Sequence, residues 1–205
     1  MATLHGMVNN ALQKIKVSKR ISDLEEDTKE ANAAEEVFYE LLENLLEMHK
    51  WNFASARVKV AQADETPAFG WDHQYTLPGD FIRVSEMWDN ADMRGQLTKY
   101  HLEKGVIMTN SDDVYLRYVY RCVDPNLMTP TFRAAFSKLL GSNLAVALAN
   151  STTLRDKLFD EFIDEDLPTA KSADALQQGE ERLPESSWVL IRGGGDINDF
   201  TPGEP

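Results

Sequence analysis

Cysteine occurs once in the 205 residues of this chain, at Cys122. An intrachain disulfide and a cysteine-rich metal site are thereby excluded. No run approaches about eighteen consecutive apolar residues, so no membrane-spanning helix is expected, and the first segment lacks the basic-then-apolar order of a signal peptide. The expectation is a protein that works in, or is assembled in, a reducing cytosol. Positive charge is also scarce: 21 Lys and Arg stand against 34 Asp and Glu, a formal net charge of −13. Nucleic-acid binding through phosphate neutralisation needs clustered Lys and Arg, which this balance argues against. A protein that DNA merely passes stays compatible, because an acidic wall repels phosphate and lets a duplex slide without sticking.

Catalytic signatures are missing too. His5, His49, His73 and His101 form no pair at metal-ligand spacing, and no HExxH occurs. His49, near a helix end, reads as a structural or capping residue. Gly193-Gly194-Gly195 lacks the lysine and following helix of a phosphate-binding loop. No serine sits in a nucleophile elbow. These absences lead to the expectation of a non-enzymatic protein without cofactor or metal. The dense acidic run Asp160, Glu161, Asp164, Glu165 and Asp166 is the one weak cation signal, since carboxylates at i and i+4 share a helix face. No calcium-loop spacing supports it, so a solvated or channel-facing helix surface is the preferred reading.

What is present is a strong periodic pattern. From Asp27 to Trp51, Ala34, Val37, Phe38, Leu41, Leu42, Leu45 and Met48 recur at three- and four-residue steps, the signature of one apolar helix face. Asp27 with Glu30 fits a capping box, and His49 and Lys50 suit the negative end of the helix dipole. This helix is expected to organise the chain. A shorter helix over residues 3–17 precedes it, with Ile21 and Leu24 anchoring the connection. After Trp51 the period falls to two. Residues 52–61 read as a strand with Ala54, Ala56, Val58 and Val60 on one side. Further strands are expected at His73–Leu77, Phe81–Trp88 and Val114–Arg121, with a hairpin of 97–103 and 106–108 around Lys104-Gly105. The last long strand, VYLRYVYR, places Tyr115, Tyr118 and Tyr120 on both faces, which favours core and subunit contact over base stacking.

Thr129-Pro130 then opens a helix with a cap and a proline at the first position. Ser151 or Thr152 caps the next, with stripe Leu154, Leu158, Phe159, Phe162 and Ile163. Pro168 is expected to kink or end it. Residues 169–182 offer only Ala170, Ala173, Ala175 and Leu176 as apolar anchors. SWVLI at 187–191 is a short apolar anchor ahead of a polar tail. The predicted fold is mainly α with an inserted small antiparallel β region (α+β). A helical bundle core of residues 1–51 and 124–183 surrounds the insertion 52–123, and 184–205 form a C-terminal anchor and tail.

Several stretches resemble one family. They are NNALQKIKVSKRISDLEEDTKEA, LLEMHKWNFASARVKVA, YTLPGDFIRV, the run YLRYVYRCVDPNLMTPTFRAAFSKLLGSNLAVALANSTTLRDKL, and SADALQQGEE with the later SSW. Their order and spacing over residues 4–190 are similar to the tail tubular protein A family of T7-like short-tailed bacteriophages, which are head-to-tail adaptors. The departures are Pro168, inside a helix the family leaves unbroken, and Lys16, where the family carries glycine.

The resemblance implies a structural protein of the virion tail or neck, made in the host cytoplasm. It implies a homo-oligomeric ring of twelve subunits docked under the portal protein. The tail nozzle, a tail tubular protein B-like partner, attaches below, with the tail fibre as a further partner, and genomic DNA passes during ejection without sequence-specific binding. On this reading Asp160, Glu161, Asp164 and Glu165 contribute to ring contacts or the lumen. Trp188 and Arg192 belong to a segment, 169–205, that reaches the portal or a neighbouring subunit. Trp71 and Trp88 belong with the loops 62–72 and 89–96 that face the next tail protein. Two alternatives stay open. One is an adaptor or completion protein of a long-tailed phage; the other is a free-standing helical protein-interaction module.

Overall fold

The computed structural model describes residues 1–177. Helix α1, Leu4–Lys14, begins where the Thr3 hydroxyl accepts from the Gly6 amide at 3.2 Å. Met7, Val8, Ala11 and Leu12 form its buried face. It ends in a Schellman turn: the Val17 amide donates to Leu12 and the Lys16 amide to Gln13. The turn places Lys16 at φ 61°, the left-handed conformation that glycine adopts without a Cβ penalty. Glycine at this position would relieve that penalty. Lys16→Gly is expected to raise stability by about 0.5–1 kcal/mol, read as an upward shift of the thermal midpoint. An unchanged or lowered midpoint would show that the lysine side chain contributes more than the strain it imposes.

The connection to the second helix is pinned by Asn9. Its amide donates to the Ile21 carbonyl and its oxygen accepts from the Ile21 amide, both at 2.9 Å. Ile21 and Leu24 are buried, as their isolation among polar residues predicts. Helix α2 spans Lys29–Glu47, shorter at both ends than its pattern suggests. The capping box does not form. Thr28 is the cap, accepting from Ala31 at 3.3 Å, while Glu30 pairs with Lys19 at 3.1 Å. Thr28 displaces Asp27 because its hydroxyl lies one residue nearer the first free amides.

After Trp51 a 3-10 turn, Asn52–Ala54, redirects the chain into strand β1, Ser55–Lys59. This turn breaks the expected alternation. Ala54 joins the helical core, whereas Ala56, Val58 and Val60 belong to a second apolar cluster with Tyr75, Met87 and Leu116. The remaining strands are β2 His73–Thr76, β3 Phe81–Trp88, β4 His101–Glu103, β5 Val106–Thr109 and β6 Tyr115–Tyr120. They form two three-stranded antiparallel sheets, β1-β6-β3 and β2-β5-β4, where the sequence suggests one. Bulges in β3 between Phe81 and Arg83 and between Val84 and Glu86 shift its register on β6. The hairpin turns on Lys104 and Gly105, both at positive φ, as a two-residue loop requires. Residues 97–100 are not strand; the expected first arm starts only at His101.

Helix α3, Pro130–Ala149, starts as predicted, with the Thr129 hydroxyl accepting from Phe132 at 3.2 Å and proline in the first turn. It packs against α1, α2 and the helices that follow, so it, rather than α2, is the central element. It is buried on several sides, which is why its amphipathic signal is weak. Small residues permit this. Ser137 donates to the Met7 carbonyl at 3.1 Å, and a Cβ on Gly141 would lie 3.3 Å from the Ala11 oxygen.

Helix α4, Thr152–Glu161, is capped by Ser151, whose hydroxyl accepts from Leu154. It does not stop at Pro168. A π-helical turn, Phe162–Asp166, leads into α5, Leu167–Ala175, with Pro168 in the first turn of α5. The ring has no amide to give and crowds the carbonyl four residues back; the widened turn absorbs both effects. Leu158 and Phe162 face the core, but Phe159 and Ile163, expected in the same stripe, are 46% and 39% exposed. The α1–α5 helices share one apolar core with Trp51 and Val119.

Candidate interaction surfaces

Asp160, Glu161, Asp164 and Glu165 do come together, lining an open groove along α4 and the π turn with Thr153, Asp156 and Lys157. They are not equivalent. Glu161 pairs with Lys138 at 3.1 Å and Lys157 at 3.7 Å, and the Lys138 bond holds its carboxyl below the ordinary value. Lys138 also meets Asp166 at 2.5 Å. Burial would depress the Lys138 ammonium, but these two carboxylates outweigh it and raise its pKa. Asp160, Asp164 and Glu165 are exposed, with no ion pair of their own among the described residues. Among those residues no group of three or more His, Cys, Asp or Glu is arranged to hold a metal ion.

Trp88 stands at the end of β3 and lines a cavity of 290 Å³ with Arg57, Val58, Lys59, Met93 and Tyr115. Trp71 is half-buried and does not line this cavity. Trp188 and Arg192, with SWVLI and the tail, lie outside the described residues. The tyrosines of β6 are engaged. Tyr118 donates to Asp80 at 3.0 Å, and burial with that carboxylate pushes its phenol up to about 12. Tyr120 donates to the Phe53 carbonyl, and burial carries it to about 12 as well. The Cys122 thiol is buried and pushed up, the opposite of a reactive thiolate.

Sequence reasoning missed a polar junction at the end of α2. Asp174 of α5 is fully buried, and its two oxygens accept from the Asn52 amide at 3.0 and 3.1 Å. The Asn52 side chain in turn donates to the Asp174 carbonyl at 2.7 Å. His49 Nε2 lies 3.6 Å from the carboxylate. Burial raises the Asp174 pKa against the Asn52 bond and the nearby imidazole, and burial lowers that of His49 against the attraction of Asp174. The terminal charges of α2 are also rearranged. The Glu47 carbonyl accepts from Arg83 at 2.6 Å, His49 turns to Asp174, and Lys50 reaches Glu86 at 3.9 Å. Thus α5 is held by a buried carboxylate in addition to the few apolar residues its composition offers.

A His–Asp pair invites comparison with an acid–base relay. The cavity beside it, 380 Å³, is lined by Met48, His49, Lys50, Arg83, Asp174 and Ala175, with no hydroxyl or thiol among them. Asp174 spends both oxygens on a backbone amide, so the pair does what a structural clamp does. Nothing in the sequence flags this: an Asp among alanines reads as a solvated helix residue, and its partner is 122 positions away.

Compared with family models and with curated proteins, the chain matches no family model and no curated relative. What the fold defines is a mixed α+β protein, a helical layer with two small antiparallel sheets.

Proposed function

We propose that this chain is a structural, non-enzymatic head-to-tail adaptor of a bacteriophage virion, a ring subunit between portal and tail nozzle through which DNA passes. The observation that carries this reading is the division of labour along the chain. Helices α1–α2 and α3–α5 share one core, while residues 55–120, which reach that core through Val119, build two sheets around a second. A subunit that must hold two different proteins needs two such faces. The formal charge of −13 supports a lumen that duplex DNA passes without sticking.

The test is particle mass with and without the cognate portal protein, followed by imaging. The expected result is a shift from a small species to a ring stacked on the portal, with twelve subunits countable in projection. Absence of a complex across several salt concentrations, with both proteins folded, would sink the portal-docking reading and favour the free-standing helical module. In parallel, no retention on duplex DNA is expected at about 0.15 M salt; tight binding that falls steeply with salt would point to a nucleic-acid-binding module.

A further inference from the structure

Arg57 and Arg117 face each other directly across β1 and β6, a like-charge pair that a sheet normally avoids or compensates. Arg117 is compensated by Glu86 at 3.2 Å, and Lys59 by Asp113 at 2.8 Å while it lies over the Tyr115 ring. The Arg57 side chain is exposed and makes no hydrogen bond or ion pair among the described residues. Beside it lies the 290 Å³ cavity walled by Trp88, Tyr115, Val58 and Met93, the last 47% exposed. Its walls are apolar and aromatic and it opens beside Arg57, so it admits a large apolar side chain. The chemistry that fits is an apolar side chain with a carboxylate next to it. Glu86 and Asp92 also border the neighbouring groove. Glu86 is already engaged by Arg117 and Lys50, which leaves Arg57 beside the groove without a counter-ion among the described residues.

The chain carries that chemistry elsewhere on its own surface. On α4 and the π turn, Phe159 and Ile163 are exposed, and each is followed by a carboxylate, Asp160 and Asp164, that has no ion pair among the described residues. Helix α4 packs on α3 and the π turn, whereas the sheet carrying the cavity packs on α2, so the two patches occupy different faces of one subunit. We propose that a second copy of this chain fills the cavity: Phe159 of one copy seats against Trp88 and Tyr115 of the next, and Asp160 pairs with Arg57. Two different complementary patches make a head-to-tail contact, which closes into a ring or propagates, depending on the rotation. This deepens the ring reading and rests on it, since it assigns the subunit-to-subunit face of that ring.

Two experiments on the full chain separate the inference from the adaptor reading. In the first, assembly on the cognate portal is titrated for Arg57→Glu, Asp160→Arg and the double variant. Each single reversal is expected to raise the concentration needed for assembly by at least about tenfold, and the double variant to recover most of it. Portal assembly indifferent to all three would overturn the contact and leave the adaptor intact. The second needs no portal. Met93→Cys chains are mixed at high concentration with Ile163→Cys chains and oxidised; the buried Cys122 does not compete. Cross-linked dimers are expected from the mixture and a ladder from the Met93→Cys/Ile163→Cys double variant, with neither variant cross-linking alone. Cross-linking of either single variant with itself would indicate a two-fold contact, and no cross-link in the mixture would remove this surface as a meeting point. Circular dichroism keeps misfolding from mimicking either result.

Discussion

Trp51→Ala is expected to cost about 3–5 kcal/mol of folding stability, the range for deleting a large buried aromatic. Trp51 is fully buried at the joint between α2 and β1. Its indole N–H donates to the Leu45 carbonyl at 2.9 Å, an acceptor in the last turn of α2 that has no amide four residues on within the helix. Its ring meets Phe132 edge-on at 4.9 Å and His49 at 4.8 Å, so it ties α2 to α3 at the point where the chain leaves the helices. The substitution opens a cavity and frees a carbonyl together. Trp51→Phe keeps most of the packing and loses the hydrogen bond, so a smaller loss of about 1–2 kcal/mol is expected. Urea unfolding followed by far-ultraviolet circular dichroism checks both. A loss under about 1 kcal/mol for the alanine variant would mean that the joint relaxes around the gap.

The second large effect is expected at Asp174. Alanine there removes both side-chain oxygens that accept from the Asn52 amide, at about 2–3 kcal/mol. Asparagine keeps an oxygen for that amide and removes a charge that burial disfavours, so its cost at neutral pH is expected to be about 1 kcal/mol or less. The two groups of the junction carry opposite pH signatures. The Asp174 pKa is raised above its ordinary 3.8, so the folded chain binds more protons than the unfolded chain in the window above that value. Its contribution is complete below 3.8 and is lost as pH rises through the folded pKa. The His49 pKa is lowered below 6.5, so its contribution is complete above 6.5 and is lost as pH falls through the folded value. The difference in stability between Asp174→Asn and the parent should therefore narrow, or reverse, as pH rises from acid to neutral. A difference that stays flat across that range would show that the carboxylate ionises in the folded protein as freely as in the unfolded one.

These two positions differ in how visible they are in the sequence. Trp51 ends a periodic helix and precedes a two-residue alternation, so its role as a joint is readable from the change of period alone. Asp174 sits in SADALQQ, where every neighbour predicts a solvated helix. Only the arrival of the Asn52 amide makes the aspartate structural. The same contrast runs through the candidate surface residues. Asp160, Glu161, Asp164 and Glu165 cluster because helix geometry puts them on one side, and Trp88 reaches a cavity because it closes a strand whose ends the sequence marks well. Arg57 was visible as a strand residue, but its lack of a counter-ion among the described residues depends on which strand lies beside it.

By itself the sequence determined what local forces control: helices α1 to α4 from their apolar spacing, the starts at Thr129 and at Ser151 or Thr152 from hydroxyls placed before free amides, the strand Phe81–Trp88, and the hairpin turn at Lys104-Gly105. Tertiary structure alone decided that α3 is central, that the strands divide into two sheets, that Pro168 widens a helix instead of ending it, and that Asp174 is buried. The reason is range. A cap or a two-residue turn is satisfied within four residues, whereas a sheet partner, a close helix approach such as Gly141 on Ala11, or a buried carboxylate is satisfied by groups that the fold must first bring together from far apart in the chain.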